Sequence, residues 1–188
     1  MTKYILHGGE TGRKTKDNKK LFIEMTNELS DRANILCVYF SRPKKIWPQL
    51  FKQDKINFSS ASLKKDFNFT LADDKTDALT NQIKKADVIY LRGGDTDMLK
   101  KTLNKVEKLV KLWQGKIVSG SSAGAYVLSK YYYSNDKACI KEGLGVLPIK
   151  TFCHYSKDKS DKPEGLKKHG EDLKIYAIPE EKFIIIEQ

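Results

Sequence analysis

The chain of 188 residues is long enough to bury a substantial core and is most simply one domain, residues 1–188. Its composition is ordinary for a soluble globular protein, and it has no apolar run long enough to span a bilayer. The first residues lack the apolar core of a signal peptide, so we expect a cytoplasmic location. The three cysteines have no paired spacing, which argues against a disulfide framework or a zinc site.

The net charge of +11 raises the question of nucleic-acid binding, because clustered lysines neutralise phosphates. The basic residues are spread over the whole chain, at Lys14 to Lys20, Lys44-Lys45, Lys64-Lys65, Lys84-Lys85, Lys100-Lys101 and Lys167-Lys168. The sequence has no zinc-finger or RNP-type aromatic signature. We interpret the charge as a lysine-rich solvated surface, with nucleic-acid association as the alternative.

Strands and helices alternate along the chain, as apolar runs and helically spaced apolar residues indicate. In chain order the pattern predicts strand Tyr4–Leu6, helix Leu21–Leu29, strand Asn34–Phe40, helix Lys45–Lys52, strand Phe67–Leu71, helix Thr76–Lys85, strand Asp87–Leu91, helix Asp97–Trp113 and strand Lys116–Val118. Apolar segments at Val146–Cys153 and Ile175–Pro179 follow, and the polar stretch Ser156–Gly170 between them predicts a loop near the site. The alternation predicts an α/β fold with a doubly wound, mostly parallel sheet, helices on both faces, and ligands at the carboxyl ends of the strands.

A glycine-rich turn follows the strand at Lys116–Val118. Residues 120–124 read GSSAG, and helical character resumes at Ala125. A Gly-x-Ser-x-Gly turn between a strand and a helix lifts one serine hydroxyl out of the sheet edge. Ser122, the central serine, is therefore a candidate nucleophile. The alternative for this segment is a plain turn that binds a phosphate at the helix N-terminus.

A serine hydroxyl needs a base to become an effective nucleophile, and the chain contains three histidines. His154 follows a predicted strand and comes after the serine, as in the chain order of α/β hydrolases. We therefore predict that His154 is the base. His7, at the end of the first strand, is interpreted as a structural turn residue, and His169 as part of a solvated loop.

A third group should orient the imidazole and stabilise its cation. Glu180 follows the strand Ile175–Pro179, and Asp136 lies in a turn with Ser134 and Asn135. Glu181 is a weaker choice because it is one residue further from the strand end. The sequence alone does not separate Glu180 from Asp136.

Acyl transfer also requires N–H donors for the developing oxyanion. The backbone of Ala123, directly after the serine, can supply one donor. The Gly93-Gly94 turn after strand Asp87–Leu91 can supply another, because glycine lets the backbone approach the substrate closely.

Taken together, these segments resemble the dipeptidase E and cyanophycinase family of serine peptidases, peptidase family S51. The resemblance rests on Arg92–Thr96, Gly120–Ala125, Gly143–Pro148 leading to His154, and Ile178–Glu180. It implies a fold similar to that of class I glutamine amidotransferases, with the nucleophile on a strained turn between strand and helix.

The resemblance also implies a role for each site residue. Ser122 would attack the peptide carbonyl, His154 would act as base and then as acid, and Glu180 would complete the triad. The amides of Gly94 and Ala123 would form the oxyanion hole, without a metal or organic cofactor.

The leading hypothesis is a cytosolic serine peptidase that hydrolyses small peptides and is dipeptidase-like, with a possible homodimer through an unpaired sheet edge. One alternative is an amidotransferase-like hydrolase, a class that uses a cysteine where Ser122 stands. The other is a catalytically silent or nucleic-acid-associated α/β binding protein, which only the charge supports.

Overall fold

The structure, a computed structural model, describes residues 1–62 and 65–188, so Lys64 of the basic pair Lys64-Lys65 lies outside the described residues. The strands of the described residues are β1 Lys3–His7, β2 Asn34–Val38, β3 Asn68–Leu71, β4 Val88–Leu91, β5 Ile117–Ser121, β6 Ser129–Ser134, β7 Cys139–Glu142, β8 Leu147–Tyr155, β9 Ile175–Pro179 and β10 Phe183–Glu187. The α-helices of the same residues are α1 Lys16–Glu24, α2 Trp47–Ala61, α3 Thr76–Lys85, α4 Thr96–Leu103, α5 Leu109–Leu112, α6 Ala123–Leu128 and α7 Asp161–Lys167. Short 3-10 helices occupy Lys44–Ile46 and Lys157–Lys159.

Six strands form the main sheet, in the order β10-β1-β5-β4-β2-β3. All neighbours pair in parallel except β10, which pairs with β1 in the antiparallel direction at the edge. Every residue of β4 and β5 is buried, as expected for strands covered on both faces. The carboxyl ends of β1, β5 and β4 lie side by side, so the residues that follow these strands share one edge of the sheet.

Helices cover both faces of this sheet. Tyr90 of β4 packs against Phe22 of α1 and Phe58 of α2, with ring centroids 6.1 and 5.8 Å apart. The next residue, Leu91, points to the other face. There it meets α6 so closely that a Cβ added to Gly124 would lie 3.0 Å from the Leu91 Cβ. The predicted α/β fold, with a mostly parallel sheet and helices on both faces, is confirmed.

The structure contains a second sheet, whereas the sequence predicts a single one. It has four strands in the order β7-β6-β8-β9, with β6 and β7 forming a hairpin and the other pairs parallel. The strand β6 reads SKYYYS, so its three consecutive tyrosines hide the alternation of apolar and polar residues that marks a strand. This sheet brings the end of β8 and the end of β9 to the edge where β5 ends.

The helix predicted at Leu21–Leu29 begins earlier and ends earlier in the structure. The side chain of Thr15 accepts a hydrogen bond from the Asn18 N–H and caps α1 at its N-terminus. The prediction placed the start of the helix too late because the first turn of α1 is lysine-rich and shows no apolar face. The helix predicted at Lys45–Lys52 continues further, to Ala61.

Two other segments also differ from their predictions. The helix predicted over Asp97–Trp113 is interrupted between α4 and α5, where Lys108 adopts a left-handed conformation with φ 54°. The stretch Ser156–Gly170, predicted to be a loop, contains α7, which is anchored by the fully buried Leu166. One apolar anchor is too little for a periodic signal. No helix within the described ranges has both the length and the apolarity that a membrane span needs.

Candidate active site

Ser122 lies on the turn between β5 and α6, in a strained backbone conformation with φ 49° and ψ −105°. Few residues other than glycine adopt such angles, at a cost of about 1–3 kcal/mol. The flanking glycines allow the turn, because a Cβ on Gly120 would lie 2.3 Å from the backbone of Gly124. A Cβ on Gly124 would in turn lie 2.2 Å from the Leu91 carbonyl oxygen. The turn therefore has the geometry predicted from the Gly-x-Ser-x-Gly pattern.

The Ser122 hydroxyl is the first member of a chain of three side chains. Ser122 Oγ lies 2.9 Å from His154 Nε2, and His154 Nδ1 lies 3.0 Å from Glu180 Oε1. With the imidazole neutral, Nδ1–H donates to the carboxylate and Nε2 accepts from the serine hydroxyl. The structure thus brings together the three residues that the resemblance implies, in the order that a serine nucleophile requires.

Glu180 is held by a second partner on its other oxygen. Arg13 Nη1 donates to Glu180 Oε2 at 2.8 Å, and Arg13 Nε lies 3.2 Å from Glu10 Oε2. The hydrogen bond from His154, helped by the charge of Arg13, lowers the pKa of Glu180 below its usual range. Glu180 is therefore ionised at neutral pH, as a group that stabilises an imidazolium must be. Arg13 was not predicted, and its separation of 167 residues from Glu180 leaves no local signal.

The residues at the end of β1 hold the site together through their backbone. The carbonyl groups of His7 and Gly8 accept hydrogen bonds from the N–H groups of Ser122 and His154, both at 2.9 Å. The next carbonyl, of Gly9, accepts from the N–H of Glu181, beside Glu180, at 3.1 Å. Three successive carbonyls thus fix three segments that are far apart in the chain.

His154 itself occupies an irregular position in β8. The register between β8 and β9 shifts between Cys153 and Tyr155, and His154 between them has φ 55°. Such a bulge re-aims a side chain relative to the regular strand. The ring consequently points to Ser122 and Glu180 rather than to one face of the small sheet.

The two predicted oxyanion donors lie on either side of Ser122. Ala123 is the first residue of α6, so its N–H has no acceptor within that helix. The glycine turn after β4 approaches from the other strand, since a Cβ on Gly93 would lie 3.1 Å from the Ser122 Cβ. Gly94 lines both cavities beside the serine. Both segments thus lie beside the serine, where donors to an oxyanion would be needed.

Two cavities meet at Ser122. The larger has a volume of about 530 Å³ and is walled by the glycine turn, the start of α4 and the β6–β7 turn. The smaller, of about 180 Å³, lies towards residues 10–12 and Arg92. Arg42 and His154 line both cavities with Ser122. The serine therefore lies where the two cavities meet.

Asp136, the other candidate acid, lies in the turn between β6 and β7 and lines the larger cavity. The contact with His154 Nδ1 is made by Glu180. Glu181 lies within 3.5 Å of Arg13 and adopts a left-handed backbone conformation, φ 63°. Ser121 is buried, with its Oγ 3.4 Å from His7 Nδ1, so Ser122 alone of the two serines faces His154.

His7 is fully buried and has structural partners. Its Nδ1 accepts a hydrogen bond from the Gly9 N–H at 3.1 Å, and its Nε2 therefore donates to Asn18 Oδ1 at 3.0 Å. Burial lowers the pKa of His7 to about 4. His169, in the exposed segment after α7, packs edge-on against Tyr131 with ring centroids 5.0 Å apart.

Within residues 1–62 and 65–188, one group of three side chains brings metal-ligating atoms within 4.8 Å of one another, namely Glu10, His154 and Glu180. The guanidinium of Arg13 bridges both carboxylates. Arg13 thus already supplies one positive charge between the two carboxylates.

The two buried cysteines do not compete with Ser122 as nucleophiles. Cys153 is fully buried, its Sγ lies 3.9 Å from the Ser122 carbonyl oxygen, and burial raises its thiol pKa. Cys37 is also buried, and burial raises its pKa. Because the thiolate is the reactive form, neither is activated for attack.

A sequence model of Peptidase family S51 matches residues 8–188. The chain belongs to this family. As a member of family S51 it is a serine peptidase, which confirms the predicted family and enzyme class.

Solved structures with the same fold include a peptidase from an acI-B1 Actinobacterium, with 19% identity and a TM-score of 0.74 over 99% of this chain and 83% of that one. A protein described as a peptidase E, from Listeria monocytogenes EGD-e, has 21% identity and a TM-score of 0.69 over 99% of this chain and 94% of that one. At these identities the likeness is one of fold. No curated protein sequence matches this chain significantly.

Proposed function

We propose that this S51 peptidase hydrolyses small, dipeptide-like substrates through an acyl-enzyme on Ser122, with His154 as base and Glu180 as the third member of the triad. The observation that carries the proposal is the 2.9 Å contact between Ser122 Oγ and His154 Nε2 on the strained turn. A nucleophile within hydrogen-bond reach of an oriented base is the expected arrangement for serine catalysis.

The proposed reaction has two halves. Ser122 Oγ attacks the peptide carbonyl and passes its proton to His154 Nε2, while the amides of Gly94 and Ala123 bind the oxyanion. The amine leaves with the proton from His154. A water molecule then gives a proton to His154 and attacks the ester. His154 returns that proton to Ser122 Oγ as the ester bond breaks, which releases the second product and restores the serine.

The dimensions of the site support a small substrate. The larger cavity, about 530 Å³, falls in the range of pockets that bind small molecules, about 300–1,000 Å³. The β6–β7 turn closes one wall of it with residues 134–137. The smaller cavity across Ser122 leaves limited room on the other side.

Arg42 supports recognition of a substrate carboxylate. Its Nε donates to the Gly93 carbonyl at 2.6 Å, which fixes the guanidinium beside the glycine turn and both cavities. Every dipeptide carries a carboxylate within two residues of the scissile bond. We expect Arg42→Gln to lower kcat/KM for a dipeptide about tenfold more than for its C-terminal amide. Only the free carboxylate of the dipeptide forms a charged hydrogen bond with Arg42 that the variant loses. Equal losses would contradict this role.

The deciding experiment is labelling with a fluorophosphonate, which reacts with activated serines, followed by peptide mass spectrometry. We expect one adduct, on Ser122, that disappears in Ser122→Ala and forms far more slowly in His154→Ala. The matched control is Ser121→Ala, which removes the adjacent buried hydroxyl. An adduct on another residue, or none in the folded protein, contradicts the proposal. A panel of dipeptides with acidic, basic and neutral first residues then defines the substrate preference.

A further inference from the structure

The backbone of Cys153, directly before His154, is bound by two side chains outside its own sheet. Tyr126 Oη accepts a hydrogen bond from the Cys153 N–H at 3.0 Å and donates to the Cys153 carbonyl at 3.3 Å. Asn135 Nδ2 donates to the same carbonyl at 3.0 Å and lies 3.3 Å from Tyr126 Oη. The backbone N–H and the carbonyl of Cys153 are thus both hydrogen-bonded to side chains.

The location of these contacts follows from the topology. The register between β6 and β8 runs from the Ser129–Leu147 pair to the Tyr132–Thr151 pair. Cys153 lies beyond that last pair, where β8 carries the bulge that turns His154 towards Ser122. The side chains of Tyr126 and Asn135 therefore take over as partners of β8 just before the bulge.

Tyr126 also connects this point to the nucleophile. It lies one turn along α6 from Ser122, and its N–H donates to the Ser122 carbonyl at 2.9 Å. Its ring is buried and stacked on Tyr132, with centroids 4.6 Å apart and an interplanar angle of 14°. Tyr126 thus connects the helix that follows Ser122 with the strand that carries His154.

Asn135 adds a connection to the substrate side. It belongs to the β6–β7 turn and lines the larger cavity. Ion pairs with Asp97 tie the turn, through Lys137, and β7, through Lys141, to α4. The Asn135 amide thus joins the wall of the larger cavity to the Cys153 carbonyl.

We propose that Tyr126 and Asn135 are positioning residues that fix the His154 bulge, so that the imidazole stays within reach of the Ser122 hydroxyl. This inference rests on the proposed roles of Ser122 and His154. Neither residue touches the reacting atoms; they act through the Cys153 backbone. Because misplacement of a reacting group by about 1 Å can cost on the order of a hundredfold in rate, loss of these contacts should be visible in kcat.

The test uses Tyr126→Phe, which keeps the ring stack and removes only the hydroxyl. We expect kcat and the rate of fluorophosphonate labelling to fall together on the order of tenfold or more, with KM within about twofold. A matched control is Tyr133→Phe, which also removes a tyrosine hydroxyl, from a ring of β6 that packs edge-on against Phe152. A merely structural role would lower the melting temperature and leave kcat of the folded fraction unchanged.

Asn135→Ala provides a second variant on the exposed turn, should Tyr126→Phe fail to fold. Since both side chains act on one peptide residue, the double variant should lose less than the product of the two single losses. If the wild type labels at Ser122 and both variants label as fast as it does, the positioning role is overturned while the proposed function stands. If the wild type does not label at all, the proposed function itself fails.

Discussion

Gly9 lies directly against the imidazole of His154. A Cβ added at Gly9 would be 2.2 Å from His154 Cε1 and 2.6 Å from Nε2, and its φ of 121° is one that residues with side chains rarely adopt. The Gly9 carbonyl also binds the N–H of Glu181. The conformation of one glycine therefore bears on both the base and the segment of the proposed acid.

We expect Gly9→Ala to abolish measurable turnover, because the methyl group must displace the His154 ring or distort the end of β1. The measurement is kcat/KM on the best dipeptide, together with labelling of Ser122 and circular dichroism to verify folding. Gly165→Ala is the matched control, since no atom lies within 4 Å of an added Cβ there and the residue is on exposed α7. Activity within a few-fold of wild type in Gly9→Ala would show that the ring is not confined.

The parallel strands of the main sheet, the family and the serine turn could be read from the sequence because they are encoded locally. Strand β4 is a continuous apolar run, and the constraint on Ser122 lies within five residues. The choice between Glu180 and Asp136 could not be read, because it depends on the register of the small sheet and on the bulge at His154. Arg13 and the carbonyls of His7–Gly9 contact the site only across long chain separations.

Glu180→Gln should lose far more activity than Asp136→Asn. The glutamine can still accept a hydrogen bond from His154 but cannot stabilise its cation, and the comparable carboxylate-to-amide change in a serine triad costs about 10⁴-fold in kcat. Steady-state kcat for the two variants, purified in parallel, decides the matter. A greater loss in Asp136→Asn would assign the third position of the triad to the β6–β7 turn.

The pH dependence of stability should carry the signature of His7. Its pKa in the folded state is about 4 because of burial, below the ordinary value of 6.5. The unfolded chain binds the His7 proton more readily than the folded protein does. The stability that neutral His7 contributes is therefore fully present above pH 6.5 and is lost as the pH falls from 6.5 towards 4. We expect about 2 kcal/mol of the free energy of unfolding to be lost between pH 7 and pH 5 through this group.

Urea unfolding at these two pH values, in the wild type and in His7→Gln, measures the effect. The variant is less stable at pH 7 because it loses packing and hydrogen bonds, but its decline from pH 7 to pH 5 should be smaller by about the stated amount. Parallel declines in both proteins would mean that His7 titrates in the folded protein near its ordinary pKa.

Asp54 and Arg92 form a buried ion pair beneath the smaller cavity, with Asp54 Oδ1 2.7 Å from Arg92 Nη1. Asp54 Oδ2 also accepts from the Tyr39 hydroxyl at 2.8 Å, and Gln53 Oε1 accepts from Arg92 Nη2 at 2.8 Å. Removing one partner leaves the other charge buried without its counterion, so Asp54→Ala should destabilise the fold by about 3–5 kcal/mol. Replacing both partners by leucine should cost less than the two single replacements together, because no unpaired charge remains. Urea unfolding of Asp54→Ala, the two single leucine variants and the double leucine variant tests this. A loss below about 1 kcal/mol in Asp54→Ala would show that water reaches the Arg92 guanidinium through the smaller cavity.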